Sequence, residues 1–336
     1  MIALCTIVKN EEPVIQRMLE SAEPYVDAYF ILDTGSEDKT PEIIEQWLTS
    51  HKGKLERGTF EGFATSRNKS LEMVPEEYEY VLVLDADEVI VNFNKEVIRD
   101  ADVYGIYVKS GEFAILGSRV FKRFLRYERE IHNEIKGHKT SAIIDPSDAY
   151  FNHLHDGKRS KDPNKIKSDI KTLSKTNSVT DKFYLAMSYY GMGERRESMK
   201  AFAEITALDY SDFSYMAHFM MGKMYYEAGF FDLAFLEFMD AYSYAKTMEA
   251  GFFIIKIAKL YNRKKLVNRQ FNGTVKNVYA THIIPEIRDY LFDREFAETM
   301  SGVDKKKAKE VFEKILKKNI PQNIRSEVQK NIVSLS

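Results

Sequence analysis

From its first residues the chain alternates strand and helix patterns. Ile2 to Val8 is an unbroken apolar run of strand length, followed by Lys9-Asn10-Glu11-Glu12-Pro13. Proline is tolerated in a first helical turn because the N–H it lacks has no partner there, and Val14, Met18 and Leu19 then fall at helical spacing. Residues 28–32 are a second buried strand, closed by the polar turn Asp33-Thr34-Gly35-Ser36-Glu37-Asp38-Lys39-Thr40 before a helix over 41–48. Residues 80–84 are a third strand, and it ends on Asp85. Strands alternating with helices form a parallel sheet whose ligands sit outside the carboxyl ends of its strands, and each polar cluster lies at such an end.

After Asp87 the pattern changes. Residues 104–109 and 119–126 predict strands of a mixed sheet, joined by a turn around Gly111 and Gly117, with the sheet running to about His155. The charged, turn-rich stretch 156–164 reads as an interdomain connection, which divides the chain into 1–158 and 159–336. From Lys165 on, helical periodicity takes over. An offset of 36 that places Gly193 on Gly229 also aligns Ala186 with Gly222, Tyr189 and Tyr190 with Tyr225 and Tyr226, and Phe202 with Phe238. Small residues where helices cross and aromatics in the groove are what a stacked helix pair requires. The pattern resembles tetratricopeptide repeats, with two units visible and Ser198 where Ala234 supplies a small apolar residue.

Composition narrows the classes. A chain of 336 residues accommodates two hydrophobic cores, and 44% hydrophobic with 30% charged residues is ordinary for a folded protein. A net charge of −2 removes the positive field of a nucleic-acid binder. The single cysteine, Cys5, lies in a buried strand pattern and forms no intrachain disulfide, which fits a reducing, cytoplasmic setting. The opening apolar run is short for a signal peptide, and nowhere do about 18 apolar residues run unbroken, so no integral membrane segment is expected.

The sharpest local signal is Tyr80-Val81-Leu82-Val83-Leu84-Asp85-Ala86-Asp87-Glu88, a buried strand that runs straight into alternating carboxylates. An Asp-x-Asp at a strand end binds a divalent cation directly or through water and leaves positions for diphosphate oxygens; the bland alternative is a solvated acidic turn. Taken together, Thr6-Ile7-Val8-Lys9-Asn10-Glu11-Glu12, Asp33 to Thr40, Phe63-Ala64-Thr65-Ser66-Arg67-Asn68 and Leu84 to Glu88 resemble, in order and spacing, glycosyltransferase family two. The resemblance is to the branch whose short GT-A domain precedes tetratricopeptide-like helices, and it covers roughly the first 158 residues. It implies an α/β GT-A domain with a Rossmann-like mixed sheet, an all-α domain after it, and an inverting hexosyltransferase that uses a nucleoside-diphosphate sugar, UDP-sugar by default, with Mn2+ or Mg2+.

Residue by residue, the resemblance places Thr6 and Val8 along the nucleoside through their backbone, and Asp33 on the base or ribose. It puts Glu11, Arg67, Asp85 and Ala86 around the donor, and Asp87 with Asp85 on the metal. A carboxylate accepts well from an imide N–H or ribose hydroxyls, although Asp33 in a turn also reads as a cap. Arg67 offers a rigid fork of donors to diphosphate oxygens; its bland reading is a surface ion pair. Glu130-Ile131-His132-Asn133-Glu134 and Asn152-His153-Leu154-His155-Asp156-Gly157 hold three of the seven histidines. Relatives carry a His-Glu or His-Asn pair and a later His-x-Gly, matched by His132-Asn133 and His155-Asp156-Gly157, which makes His155 a metal ligand. Where many relatives have Glu directly after the first His, this chain has Asn133. In an extended segment His132 and Glu134 share a face, so either is the candidate catalytic base. For His153 a backbone-satisfied turn histidine is an equal reading, and it is given no role.

The expected reaction is direct displacement at the anomeric carbon. The acceptor, a carbohydrate, lipid-linked sugar or protein side chain, stays open, as does self-association through the helical half. Two other classes compete. A nucleotidyltransferase builds a related sheet but carries a Gly-rich basic loop after its first strand, where this chain has acidic Lys9-Asn10-Glu11-Glu12. A catalytically silent module would bind nucleotide sugar or peptide without turnover. The Lys305, Lys306, Lys307 and Lys309 cluster reads as a solvated helix face.

Overall fold

The apolar runs of the N-terminal half become the inner strands of a mixed sheet. The computed structural model describes residues 1–128, 134–158, 160–162, 164–175, 178–208, 211–271 and 282–335. The chain divides into two compact units, Met1–Pro163 and Asn164–Ser336, and the division falls inside the turn-rich stretch 156–164.

In the first unit the order is β1 (Ile2–Val8), α1 (Ile15–Ala22), β2 (Ala28–Asp33), α2 (Thr40–Leu48), β3 (Gly53–Arg57), α3 (Phe63–Glu72), β4 (Tyr80–Val83), β5 (Glu88–Phe93), β6 (Val103–Ser110), β7 (Phe113–Lys122), β8 (Arg126–Glu128), β9 (Glu134–Lys136), β10 (Ser141–Ile143) and β11 (Ala149–His153). The main sheet runs β3-β2-β1-β4-β7-β6-β11-β5, with β10 beside β6, and β8 pairs with β9 apart from it. From β3 to β4 the strands are parallel, and β7 joins β4 antiparallel. The sheet is buried on both faces, which is why β1, β2 and β4 lack polar alternation. Ile2, Leu4, Tyr29, Ile31, Tyr80 and Leu82 pack on one side with Ile15, Met18, Leu19 and Ile44. Ala3, Cys5, Ala28, Phe30, Val81 and Val83 pack on the other with Ala64 and Leu71 of α3.

Three expectations change. The strand ending at Asp85 is the fourth in the chain, because β3 precedes it. Gly117 lies inside β7, opposite Ile106, and the hairpin turns at Gly111, whose φ is 62°. The predicted strand over 119–126 breaks at Lys122, where Leu125 N–H bonds the Lys122 carbonyl in a turn before β8.

The second unit consists of α4 (Lys165–Leu173), α5 (Val179–Gly191), α6 (Arg195–Thr206), α7 (Ser211–Glu227), α8 (Phe231–Tyr244), α9 (Met248–Leu260), α10 (Lys264–Gln270), α11 (Phe292–Met300), α12 (Lys305–Leu316) and α13 (Gln322–Leu335), with two extended residues, His282–Ile283. The repeat has a structural counterpart. Gly193 and Gly229 have φ of 80° and 82°, and at each turn the N–H groups of the glycine and its successor cap the preceding helix on Tyr190 and Tyr189, and on Tyr226 and Tyr225. A third turn of the same kind sits at Asn262, φ 55°, capping on Lys259 and Ala258, so the repeat reaches one helix pair further than the sequence pattern. Ser198 fits the position of Ala234 because its buried hydroxyl donates to the Ala186 carbonyl at 2.9 Å.

Candidate active site

The carboxyl ends of β1, β2 and β4 converge, and their loops are stitched to one another. Thr6 Oγ1 donates to the Leu84 carbonyl at 2.7 Å, tying the end of β1 to the residue before the acidic motif. The Val8 carbonyl accepts the Thr34 N–H (2.9 Å) and hydroxyl (3.0 Å). Asn10, held at φ 56°, donates its N–H to Ser36 Oγ and accepts the Glu37 N–H, while the Glu11 N–H donates to Thr40 Oγ1. Buried Asp33 accepts both the N–H and the hydroxyl of Ser36 on Oδ1, at 3.0 and 2.6 Å. Asp33 therefore performs the turn-capping role here, and among the described residues its Oδ2 has only a longer 3.3 Å contact to the Ser36 N–H.

The two aspartates of the β4 end sit in different environments. Asp85 Oδ1 accepts from Arg67 Nη2 at 2.7 Å, and the Arg67 guanidinium lies 5.5 Å from the Tyr127 ring centroid and 5.9 Å from that of Phe63. Burial pushes the Asp85 carboxyl up, but Arg67, Arg119 and His153 more than offset it and hold it below the usual range. Glu88, fully buried, braces this corner: it accepts the Asp85 N–H on Oε2 and Arg119 Nη2 on Oε1. Burial raises its carboxyl above the ordinary value. Asp87 gathers three donors on one oxygen: Ser160 Oγ at 2.7 Å, His153 Nε2 at 3.1 Å and the Gly157 N–H at 3.3 Å. Against the upward push of burial, these bonds and the His153 charge hold Asp87 far below the normal carboxylate range. Burial pushes the His153 imidazole down, but its bond to Asp87 and the charges of Asp87, Glu88 and Asp85 together more than offset this and raise it above the free value.

Glu11 completes the acidic group. A Cβ added at Gly157 would lie 2.9 Å from Glu11 Oε2 and 3.0 Å from Asp87 Oδ2, so both carboxylates converge on the same glycine. Burial, with help from Asp87, Asp38 and Asp85, pushes the Glu11 carboxyl up to about 7 against the opposing Lys158 N–H bond. The segment is pinned further on by the bidentate Arg17–Asp156 pair, at 2.7 and 2.9 Å.

Glu11, Asp33, Arg67, Asp85, Ala86 and Asp87 thus share one end of the sheet with the backbone of Thr6 and Val8. His155 is exposed, 2.8 Å from Ser110 Oγ, and stacks on His153 with ring centroids 3.9 Å apart. His132 lies outside the described residues; for Glu134 only the backbone is described, paired with Glu128 across β8–β9. The sequence reading gave no role to His153, Ser160, Arg119 or Glu88. The signal for His153 lay in strand pairing, since β11 runs antiparallel to β5 with His153 opposite Glu88.

Hard carboxylate oxygens crowd this corner, yet among the described residues no three ligating atoms here lie within 4.8 Å of one another.

Residues 3–93 match the profile of the family described as "Glycosyl transferase family 2". A TPR repeat-containing protein of Synechococcus elongatus is 33% identical over 90 residues, which are 27% of this chain and 21% of that protein, so the chain matches about a fifth of its relative's length. Among solved structures, TarS residues 1–349 of S. aureus in complex with UDP-GlcNAc is 13% identical over 78% of this chain and 91% of that one, with a TM-score of 0.38. YrrB, described as a TPR protein with an unusual peptide-binding site, is 12% identical over 51% of this chain and 82% of its own, with a TM-score of 0.41. Among the described residues no helix is long and apolar enough to cross a membrane. Residues 3–93, which carry the motifs at the carboxyl ends of β1, β2 and β4, are thus similar to glycosyl transferase family 2.

Proposed function

We propose that the protein is an inverting glycosyltransferase that moves a hexose from a nucleoside-diphosphate sugar, UDP-hexose first among them, to a carbohydrate or protein hydroxyl. The observation that carries this reading is the convergence of Asp85, Asp87 and Glu11 at the carboxyl end of β4, with Arg67 bonded to Asp85. A nucleoside diphosphate presents a charged bridge between two polar ends, and this corner has a matching order. The β1 and β2 loops with Asp33 line one end, and Arg67 and the carboxylates face the bridge.

Asp85 and Asp87 would hold Mn2+ or Mg2+, which supplies positive charge to the departing diphosphate. Arg67 turns part of its fork from Asp85 to the diphosphate oxygens and stabilises the same developing charge. The acceptor oxygen forms its bond to the anomeric carbon as the bond from that carbon to the diphosphate oxygen breaks. The acceptor proton passes to Glu134 or His132, and the nucleoside diphosphate leaves on the opposite face.

The test is a panel of nucleotide sugars with Mn2+ or Mg2+ and glycan or peptide acceptors, read by nucleoside diphosphate release and by thermal shift. Acceptor-dependent release that needs the metal is the expected result. A nucleotide sugar that raises the melting temperature with no release under any metal would replace this reading with a silent binding module. No binding at all would remove it.

A further inference from the structure

The helical unit has a second group of metal-ligating side chains, independent of the sheet unit. Gly222 of α7 lets the two helices approach, since a Cβ there would meet the Phe238 ring at 3.0 Å and Glu237 Cβ at 3.2 Å on α8. One turn earlier on α7, His218 is carried against Glu237 and Asp240, which sit three apart on one face of α8. His218 Nδ1 is 2.8 Å from Glu237 Oε2, and one ligating atom from each of His218, Glu237 and Asp240 lies within 4.8 Å of the other two. Tyr244, one turn past Asp240, stacks on the imidazole with centroids 5.7 Å apart and planes at 22°, which fixes the ring plane. Among the described residues no lysine or arginine pairs with Glu237 or Asp240. Two carboxylates and one imidazole thus gather within 4.8 Å between α7 and α8.

We propose that His218, Glu237 and Asp240 form a divalent-cation site, selective for zinc-type ions, that clips α7 to α8. One imidazole nitrogen and two carboxylate oxygens with water in the remaining position is a donor set Zn2+ accepts, whereas Mg2+ and Ca2+ favour all-oxygen shells. A dication neutralises the paired carboxylates, and two packed helices present the ligands with little reorganisation. His218 binds through Nδ1, the nitrogen already turned to Glu237, with its proton on Nε2. The ion replaces the His218–Glu237 hydrogen bond with bonds to both residues and to Asp240.

The test uses the full chain, stripped of metal and carrying Asp87→Asn so that the sheet-unit carboxylates contribute less. Co2+ titration should give saturable visible absorption of low-symmetry cobalt, abolished by Zn2+ and unaffected by Mg2+, and Zn2+ should raise the melting temperature. His218→Ala and Asp240→Asn should each weaken binding by more than about tenfold. Asp240 is exposed, so its variant keeps the fold and decides the matter should His218→Ala misfold. Co2+ binding equally tight in both variants, displacement by Mg2+, or weak binding that never saturates would overturn the site.

Discussion

Replacing Asp87 by Asn and by Ala separates anchoring from chemistry. Asp87 Oδ2 takes three hydrogen bonds, from Ser160, His153 and Gly157, in a residue only 7% exposed. A bond to a charged acceptor contributes roughly 1 kcal/mol more than one to a neutral acceptor. Asn keeps an oxygen in place but loses the charge, so the sheet unit should lose about 3 kcal/mol, a fall of about 6–12 °C for a unit of this size. Ala leaves all three donors without the acceptor and should lose somewhat more, limited because the 153–160 segment can turn to water. Fold-neutral inactivation, the simple expectation for a metal-binding aspartate, therefore does not apply to the Ala variant.

The sole tryptophan, Trp47 in α2, makes the assay specific to the sheet unit, by fluorescence-detected melting in chelator. The pH dependence has a defined sign. Asp87 has a lowered pKa, so its contribution is present above its unfolded value near 3.8 and is lost as pH falls towards the folded value. His153 has a raised pKa, so its share is present below 6.5 and is lost as pH rises through the folded value. The gap between wild type and Asp87→Asn should thus be widest between about pH 4 and 6.5. Turnover should drop at least about 100-fold in either variant. Melting curves that coincide at pH 6, or a gap that widens below pH 3, would refute the anchoring; retained turnover would refute the metal assignment.

Glu11, raised to about 7, keeps its proton in the folded state where the unfolded chain has lost it, so it lowers stability progressively as pH rises from about 4.5 to 7. In chelator, Glu11→Gln should gain on wild type across that range by about 1–3 kcal/mol at pH 8, read from Trp47 melting; a flat difference would remove the burial argument. Arg67→Lys keeps the charge but loses the fork and its contact with the Tyr127 and Phe63 rings, and should raise the KM for donor about tenfold or more with melting little changed. An unchanged KM would leave Arg67 a purely structural partner of Asp85. In the helical unit, Gly222→Ala drives a methyl into the Phe238 ring and should destabilise by about 1–3 kcal/mol. Gly191→Ala, with nothing within 4 Å, should be neutral or stabilising by up to about 1 kcal/mol, and equal effects of the two in calorimetry would contradict the packing.

What could be read from the chain follows from what each element buries. β1, β2 and β4 are buried on both faces, so their apolar runs are continuous, and the loops at their carboxyl ends follow directly. β3 is an edge strand whose Lys54, Glu56 and Arg57 face water or half-face it, which leaves no run to detect. α3 carries little apolar periodicity because Ala64 and Leu71 share its buried face with polar residues. Ser66 and Ser70 are buried, and Asn68 bonds the Tyr127 backbone in both directions, at 3.0 and 2.8 Å. A helix that serves a site with its buried side looks like a loop to a hydrophobic pattern. The third repeat turn escaped for a related reason, since Asn262 takes the left-handed conformation that glycine marks at the first two.

His153 shows why the motif spacing stops short of the site. Chain distance separates it from Asp87 by 66 residues, and no periodicity or local composition links them. The link is made by the sheet: β5 starts at Glu88, directly after the acidic motif, and β11 returns antiparallel beside it with His153 opposite Glu88. In that register the residues after β11 must pass over Asp87, which is where Gly157 and Ser160 meet it. Gly157 is the residue this passage demands, because any side chain there would strike the Glu11 and Asp87 carboxylates. The His-x-Gly resemblance located the segment through His155 and Gly157; the pairing of two strands, invisible in a one-dimensional pattern, adds His153, which bonds Asp87 and stacks on His155.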